Sequence, residues 1–158
     1  MPEFILDHGD GDGGAWFQSL DSFTKGFVEA AFFTSTGSDN EEEGLGEGSN
    51  VSQVAATARA DIVATCNAWR AVPAVRALLA LAYTLHNYSE EQAGCDFWFT
   101  RNGHGVGFWD RKELEGGLGD SLSNLCGWKY RNSDSAAPLF GACDMIRGDD
   151  GRIYFYGL

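Results

Sequence analysis

No run of apolar residues in this 158-residue chain approaches the length of a membrane span. Its first residues, Met1-Pro2-Glu3-Phe4-Ile5-Leu6-Asp7, lack the basic start and long apolar core of a secretion signal. Cysteine is sparse: Cys66, Cys95, Cys126 and Cys143 stand 29, 31 and 17 residues apart, with no CxxC and no closely spaced Cys/His pair. Such spacing argues against a zinc site and against a compact disulfide scaffold, and makes free thiols in a reducing cytoplasm the expectation. No nucleophile elbow, P-loop, HExxH or paired-carboxylate motif names a reaction. No internal repeat or domain boundary is visible.

Positive charge is also short. Lys and Arg number 11 against 23 Asp and Glu, for a formal net charge of −12. The imbalance is local: residues 1–50 hold 11 acids and one base, Lys25, whereas residues 51–158 hold 12 acids and 10 bases. A surface of this kind repels nucleic acid and anionic membranes and favours basic partners. What the chain has in quantity is apolar mass, 44% hydrophobic residues with 11 Phe and 5 Trp. That is enough to bury a core in one domain spanning 1–158.

Along the chain, His8 to Gly14 reads as an acidic turn. Asp10, Asp12 and Gly13 match positions three, five and six of a calcium loop, but His8 and Ser19 fall where carboxylates are required. Phe4-Ile5-Leu6 reads as a short strand or docking segment. Apolar spacing predicts a helix from about Leu20 to Phe33, started near Asp21 or Ser22 and carrying Gly26 where packing is close. Residues 34–50 hold five carboxylates and almost nothing apolar, and read as an exposed acidic loop. A second helix, capped by Ser49 or Ser52, runs to about Arg70, and Pro73 breaks it from a third that ends near His86. Ser89-Glu90-Glu91-Gln92 has capping-box spacing and Gly94 suits a stop, so a single turn is expected there.

Phe97-Trp98-Phe99-Thr100 and Val106-Gly107-Phe108-Trp109 then have the aromatic and β-branched bias of strands, around Asn102-Gly103-His104-Gly105 as a turn. A helix from about Gly119 to Cys126 follows, and Trp128 to Pro138 gives no clear pattern. Residues 143–147 and 152–156 flank Gly148-Asp149-Asp150-Gly151 as a second hairpin, the two aspartates serving the turn. The expected class is α+β: a helical N-terminal half packed on a small antiparallel sheet, hairpin-helix-hairpin, from the C-terminal half.

The block Gly94–Arg111 resembles a signature of small bacteriophage and prophage proteins, Gly-x-Asp-Phe-Trp-x-Thr-Arg-Asn-Gly-His-Gly-x-Gly-Phe-Trp-Asp-Arg. As in that family, it is followed by Leu118-Gly119-Asp120 and by Gly148-Asp149-Asp150-Gly151-Arg152-Ile153-Tyr154. The Phe23–Ala30 helix and the acidic loop are similar to the family's layout as well. Cys95 stands where the family more often has His or Arg, so residue 95 is given no catalytic role. The resemblance implies an accessory protein of the host bacterial cytoplasm and brings no assigned activity.

Two functions compete. The leading one is an acidic, non-catalytic protein that binds and modulates a host or defence factor with a basic surface. Glu41, Glu42, Glu43 and Glu47 are its contact residues, with Trp98 and Trp109 beside them. It needs no cofactor, metal, nucleic acid or membrane. The alternative is a small hydrolase or nucleotide-handling enzyme with His104 as acid/base, Asp96 or Asp110 orienting the ring, and Arg101 or Arg111 holding an anion. A minor virion component is a third possibility.

Overall fold

The computed structural model describes residues 11–36, 45, 49–126 and 140–158. The expected segment Phe4–Leu6, the residues 8–10, most of the acidic loop and the stretch 128–138 lie outside these. Among these residues, six α-helices precede a short antiparallel hairpin: α1 Asp12–Ser19, α2 Ser22–Thr36, α3 Ala56–Ala71, α4 Pro73–Leu85, α5 Glu90–Arg101 and α6 Leu118–Cys126, then β1 Asp144–Arg147 and β2 Ile153–Tyr156. The class is α+β with a helical N-terminal half. Among the described residues no helix is long and apolar enough to cross a membrane.

Local chemistry sets most boundaries as expected. Asp21 Oδ1 accepts the Thr24 N–H at 2.8 Å and caps α2. Pro73 sits in the first turn of α4, where its missing N–H costs nothing. Two starts differ. The acidic turn ends at Gly11, because α1 begins at Asp12 and buries Gly13 and Gly14. A Cβ on Gly13 would lie 2.2 Å from Ser52 Cα, so the helix needs a glycine to approach that segment. Neither Ser49 nor Ser52 caps α3; Asn50 caps a 3-10 turn, Val51–Gln53, ahead of it.

The principal correction concerns the central block. Phe97–Thr100 is not a strand: it lies in α5, and Val106–Trp109 passes through an irregular segment into a 3-10 turn, Phe108–Asp110. Among the described residues, the expected sheet of two hairpins is therefore reduced to the C-terminal hairpin. Ser89 Oγ accepts the Gln92 N–H at 3.0 Å, as the capping box requires, but the helix runs on through Gly94 for twelve residues. Gly94 does not stop it. A Cβ there would lie 1.8 Å from the Phe23 carbonyl oxygen, and one on Gly26 would lie 2.0 Å from that of Glu91. The two glycines let α2 and α5 cross backbone to backbone, and the Cys95 thiol donates to the Gly26 carbonyl at 3.3 Å. The stop comes later. Gly103 has φ 67°, its N–H donates to the Thr100 carbonyl (3.2 Å), and the His104 N–H donates to that of Phe99 (3.0 Å). This is a Schellman cap, so the glycine that resembled a hairpin turn ends a helix instead.

Every residue of α5 from Ala93 to Arg101 is buried. Phe97 stacks on Trp69 of α3 with centroids 4.5 Å apart, and Phe27 and Phe108 complete the aromatic centre. The hairpin covers one end with Met145, Ile153 and Phe155 buried; its register pairs Met145 with Phe155 and Arg147 with Ile153. Asp150 serves the turn, accepting the Arg152 N–H at 2.9 Å and the Tyr154 hydroxyl at 2.6 Å. Within the expected acidic loop, Thr34–Thr36 belong to α2, and Leu45 and Ser49 are buried and held by Arg147 (3.1 and 2.7 Å).

Among the described residues, the buried Ser123 hydroxyl on α6 has no partner. Ser123→Ala removes that desolvated group and favours the helix, so it is expected to raise stability by about 1 kcal/mol, measured by urea unfolding.

Candidate functional site

The polar residues of the central block divide into two groups on different sides of α5. Asp96 is fully buried. Arg111 donates to both its oxygens, Nε at 3.0 and 2.9 Å and Nη2 at 2.6 Å, in a side-on fork. The Tyr88 hydroxyl and the Gln92 amide (3.2 Å) also donate to the same carboxylate. Burial raises the Asp96 pKa, against the pull of Arg111, Tyr88 and Gln92. Tyr88 stays neutral, since burial and the adjacent carboxylate both push its pKa far up.

Arg101 faces the other way. It is 1% exposed and donates to the carbonyls of Gly141 (2.9 Å) and Gly157 (3.1 Å) and to Thr65 Oγ1 (3.1 Å). Its guanidinium also lies 5.1 Å from the Phe97 ring centroid. It therefore joins α5 to α3 and to the end of the hairpin.

His104 lies just past the helix cap, half-buried, with its ring edge-on to Phe99 at 5.8 Å. Burial lowers its pKa. It lines a cleft of about 420 Å³ with Phe33 and Thr34 at the end of α2, Phe99 of α5, Val106 and Arg111. The walls are mostly apolar.

The catalytic grouping expected from sequence is not assembled. Asp96 is fully engaged by Arg111, Tyr88 and Gln92 and does not orient His104; Arg101 is on the far side; Asp110 is exposed. Only His104 and Arg111 share the cleft. Trp98 is 2% exposed, donates to Thr34 Oγ1 at 2.9 Å and packs edge-on to Phe27 and Phe155. It is a core residue and offers no contact surface. Trp109 is 38% exposed. Glu41, Glu42, Glu43 and Glu47 lie outside the described residues.

Tyr88, Gln92 and Phe33 were missed in the sequence. Once α5 is a helix the signal is plain, because Gln92 and Asp96 are four apart on one face.

The four thiols are free and buried. Burial pushes Cys66 and Cys95 up to about 12, and raises Cys126 and Cys143 as well. Such thiols are poor nucleophiles. Among the described residues no three His, Cys, Asp or Glu side chains gather as a metal site. No protein-family model, no curated protein and no solved structure matches the chain.

A pH effect arises beside this site. Glu29 of α2 faces Glu91 of α5, and burial followed by repulsion from Glu91 pushes Glu29 up to about 7 from 4.5. Between those values the native state holds a proton that the unfolded chain has released, so stability falls as pH rises through this window. Glu29→Gln is expected to flatten that slope between about pH 4.5 and 7 in urea titrations, the range where the wild type declines.

Proposed function

We propose that this is an acidic accessory protein that binds and modulates a protein with a basic surface, without catalysis. The observation that carries the reading is the charge segregation, 11 acids against one base in the first 50 residues. The commitment of Asp96 and Arg101 to bonds within the fold supports it: the polar groups of the central block act as a frame. Long-range attraction between an acidic arm and a basic surface speeds encounter and weakens with salt. The resemblance to phage proteins supports a partner among host or defence factors in the bacterial cytoplasm, with Glu41, Glu42, Glu43 and Glu47 as the contact carboxylates.

Affinity capture from host lysate with the tagged chain tests this, run at low and high salt beside a Glu41→Gln, Glu42→Gln, Glu43→Gln triple variant and His104→Ala. A stoichiometric partner, released by salt and lost from the triple variant, is the expected result. Binding that ignores ionic strength would overturn it.

A second reading, an enzyme using His104, draws support from His104 and Arg111 lining the same cleft. It requires an in-cell effect that disappears in His104→Ala and survives in the triple variant.

A further inference from the structure

The cleft beside His104 combines three features that the partner-binding reading does not use. First, its volume of about 420 Å³ falls in the range of small-molecule sites. Second, Phe33, Phe99 and Val106 give it flat apolar walls from three different segments. Third, Arg111 presents a prepared donor. Its Nε and Nη2 are fixed on Asp96, while among the described residues Nη1 has no protein partner. Asp96 is held in turn by Tyr88 and Gln92, so the guanidinium is locked from behind. A buried ion pair is costly to build and adds little net stability over an apolar replacement. Positioning a donor at a cleft gives this one a purpose.

We infer that the cleft is a binding site for a small, flat, uncharged molecule that lies between the apolar walls and places a hydrogen-bond acceptor on Arg111 Nη1. Charge selects the class. Asp96 already neutralises Arg111, so an anion gains little there, and the chain's −12 opposes its approach. A neutral carbonyl or ring nitrogen keeps the directional bond without that repulsion. This inference stands apart from partner binding, and neither depends on the other.

The test is a titration of the full chain with benzamide, followed by amide chemical shifts. Benzoate and two blocked variants run alongside. Val106→Trp fills the cleft from its wall. Gly105→Phe adds bulk at a second lining position, where a Cβ meets nothing within 4 Å. Saturable shifts at Phe33, Phe99 and Val106 are expected with benzamide at a Kd on the order of 1 mM. Benzoate is expected to bind several-fold more weakly, and both variants to lose the response. The inference is overturned if benzamide gives no saturable shifts. It is equally overturned if a folded blocked variant still binds, or if benzoate binds more tightly. None of these outcomes touches the salt-dependent capture that tests partner binding.

Discussion

Gly94→Ala is expected to destabilise the protein by about 3 kcal/mol or more, the upper range for overpacking, and to lower Tm by about 10 °C. On helix propensity alone the change is favourable by about 1 kcal/mol, because Gly94 sits inside α5. Sterics win. The new Cβ would lie 1.8 Å from the Phe23 carbonyl oxygen and 2.9 Å from the Phe27 nitrogen, both backbone atoms of α2 that have no rotamer to move to. The helices must separate, and the contacts of Phe97 with Phe23 and Phe27 loosen with them. Gly26→Ala attacks the same crossing from the other side, at 2.0 Å from the Glu91 oxygen. The double variant should cost less than the two single effects combined, since one separation accommodates both methyls. Gly105→Ala is the control: its Cβ meets nothing, and its Tm should stay at the wild-type value. Thermal unfolding followed by far-ultraviolet circular dichroism checks all four. An unchanged Tm in Gly94→Ala would mean that α2 and α5 do not cross at these glycines.

Asp96→Asn is the second large effect, expected at about 3 kcal/mol. The substitution keeps the side-chain shape and removes the charge. Arg111 loses its ion pair, and the single acceptor oxygen that remains cannot serve both the Arg111 fork and the Tyr88 hydroxyl, inside a site where Asp96 itself is fully buried. The Arg111 side chain keeps 17% exposure, so water recovers part of the loss, which places the estimate at the low end of the range for broken buried pairs. Removing both charges in Asp96→Asn with Arg111→Met should restore much of the stability, because no isolated charge is left behind. A double-mutant cycle by urea unfolding measures the coupling. If the double variant is no more stable than Asp96→Asn, the pair does not act as a unit. The same double variant should lose benzamide binding even where it folds, which separates the positioning role of Arg111 from its structural one.

The parts of the fold that could be read in the sequence are those whose determinants are local. Asp21 caps α2, Pro73 separates α3 from α4, Ser89 starts α5, and Gly148–Gly151 closes the hairpin, each through bonds within a few residues. The amphipathic spacing of α2 and α3 reports a single buried face. The central block gave the wrong element for a physical reason. A helix buried from Ala93 to Arg101 shows no polar face, so its 3.6-residue period vanishes, and Phe, Trp and Thr then read as strand. Gly103 has the positive φ expected of a turn, and a helix cap asks for the same property.

The candidate site followed the same division. The titratable residues of the central block, Asp96, Arg101, His104, Asp110 and Arg111, stood out in the sequence. Which of them meet did not, since Asp96 and Arg111 are joined across fifteen residues through the path of the chain after the helix cap. The sequence by itself determined an aromatic-rich α+β protein with one acidic end, because apolar content, caps, turns and charge are properties of residue type and near neighbours. Only the tertiary structure decided that 97–100 is helical, that two glycines bring α2 and α5 together, and that Arg111 both lines a cleft and bonds the buried Asp96. Those outcomes depend on burial from every side, and burial is set by the whole chain.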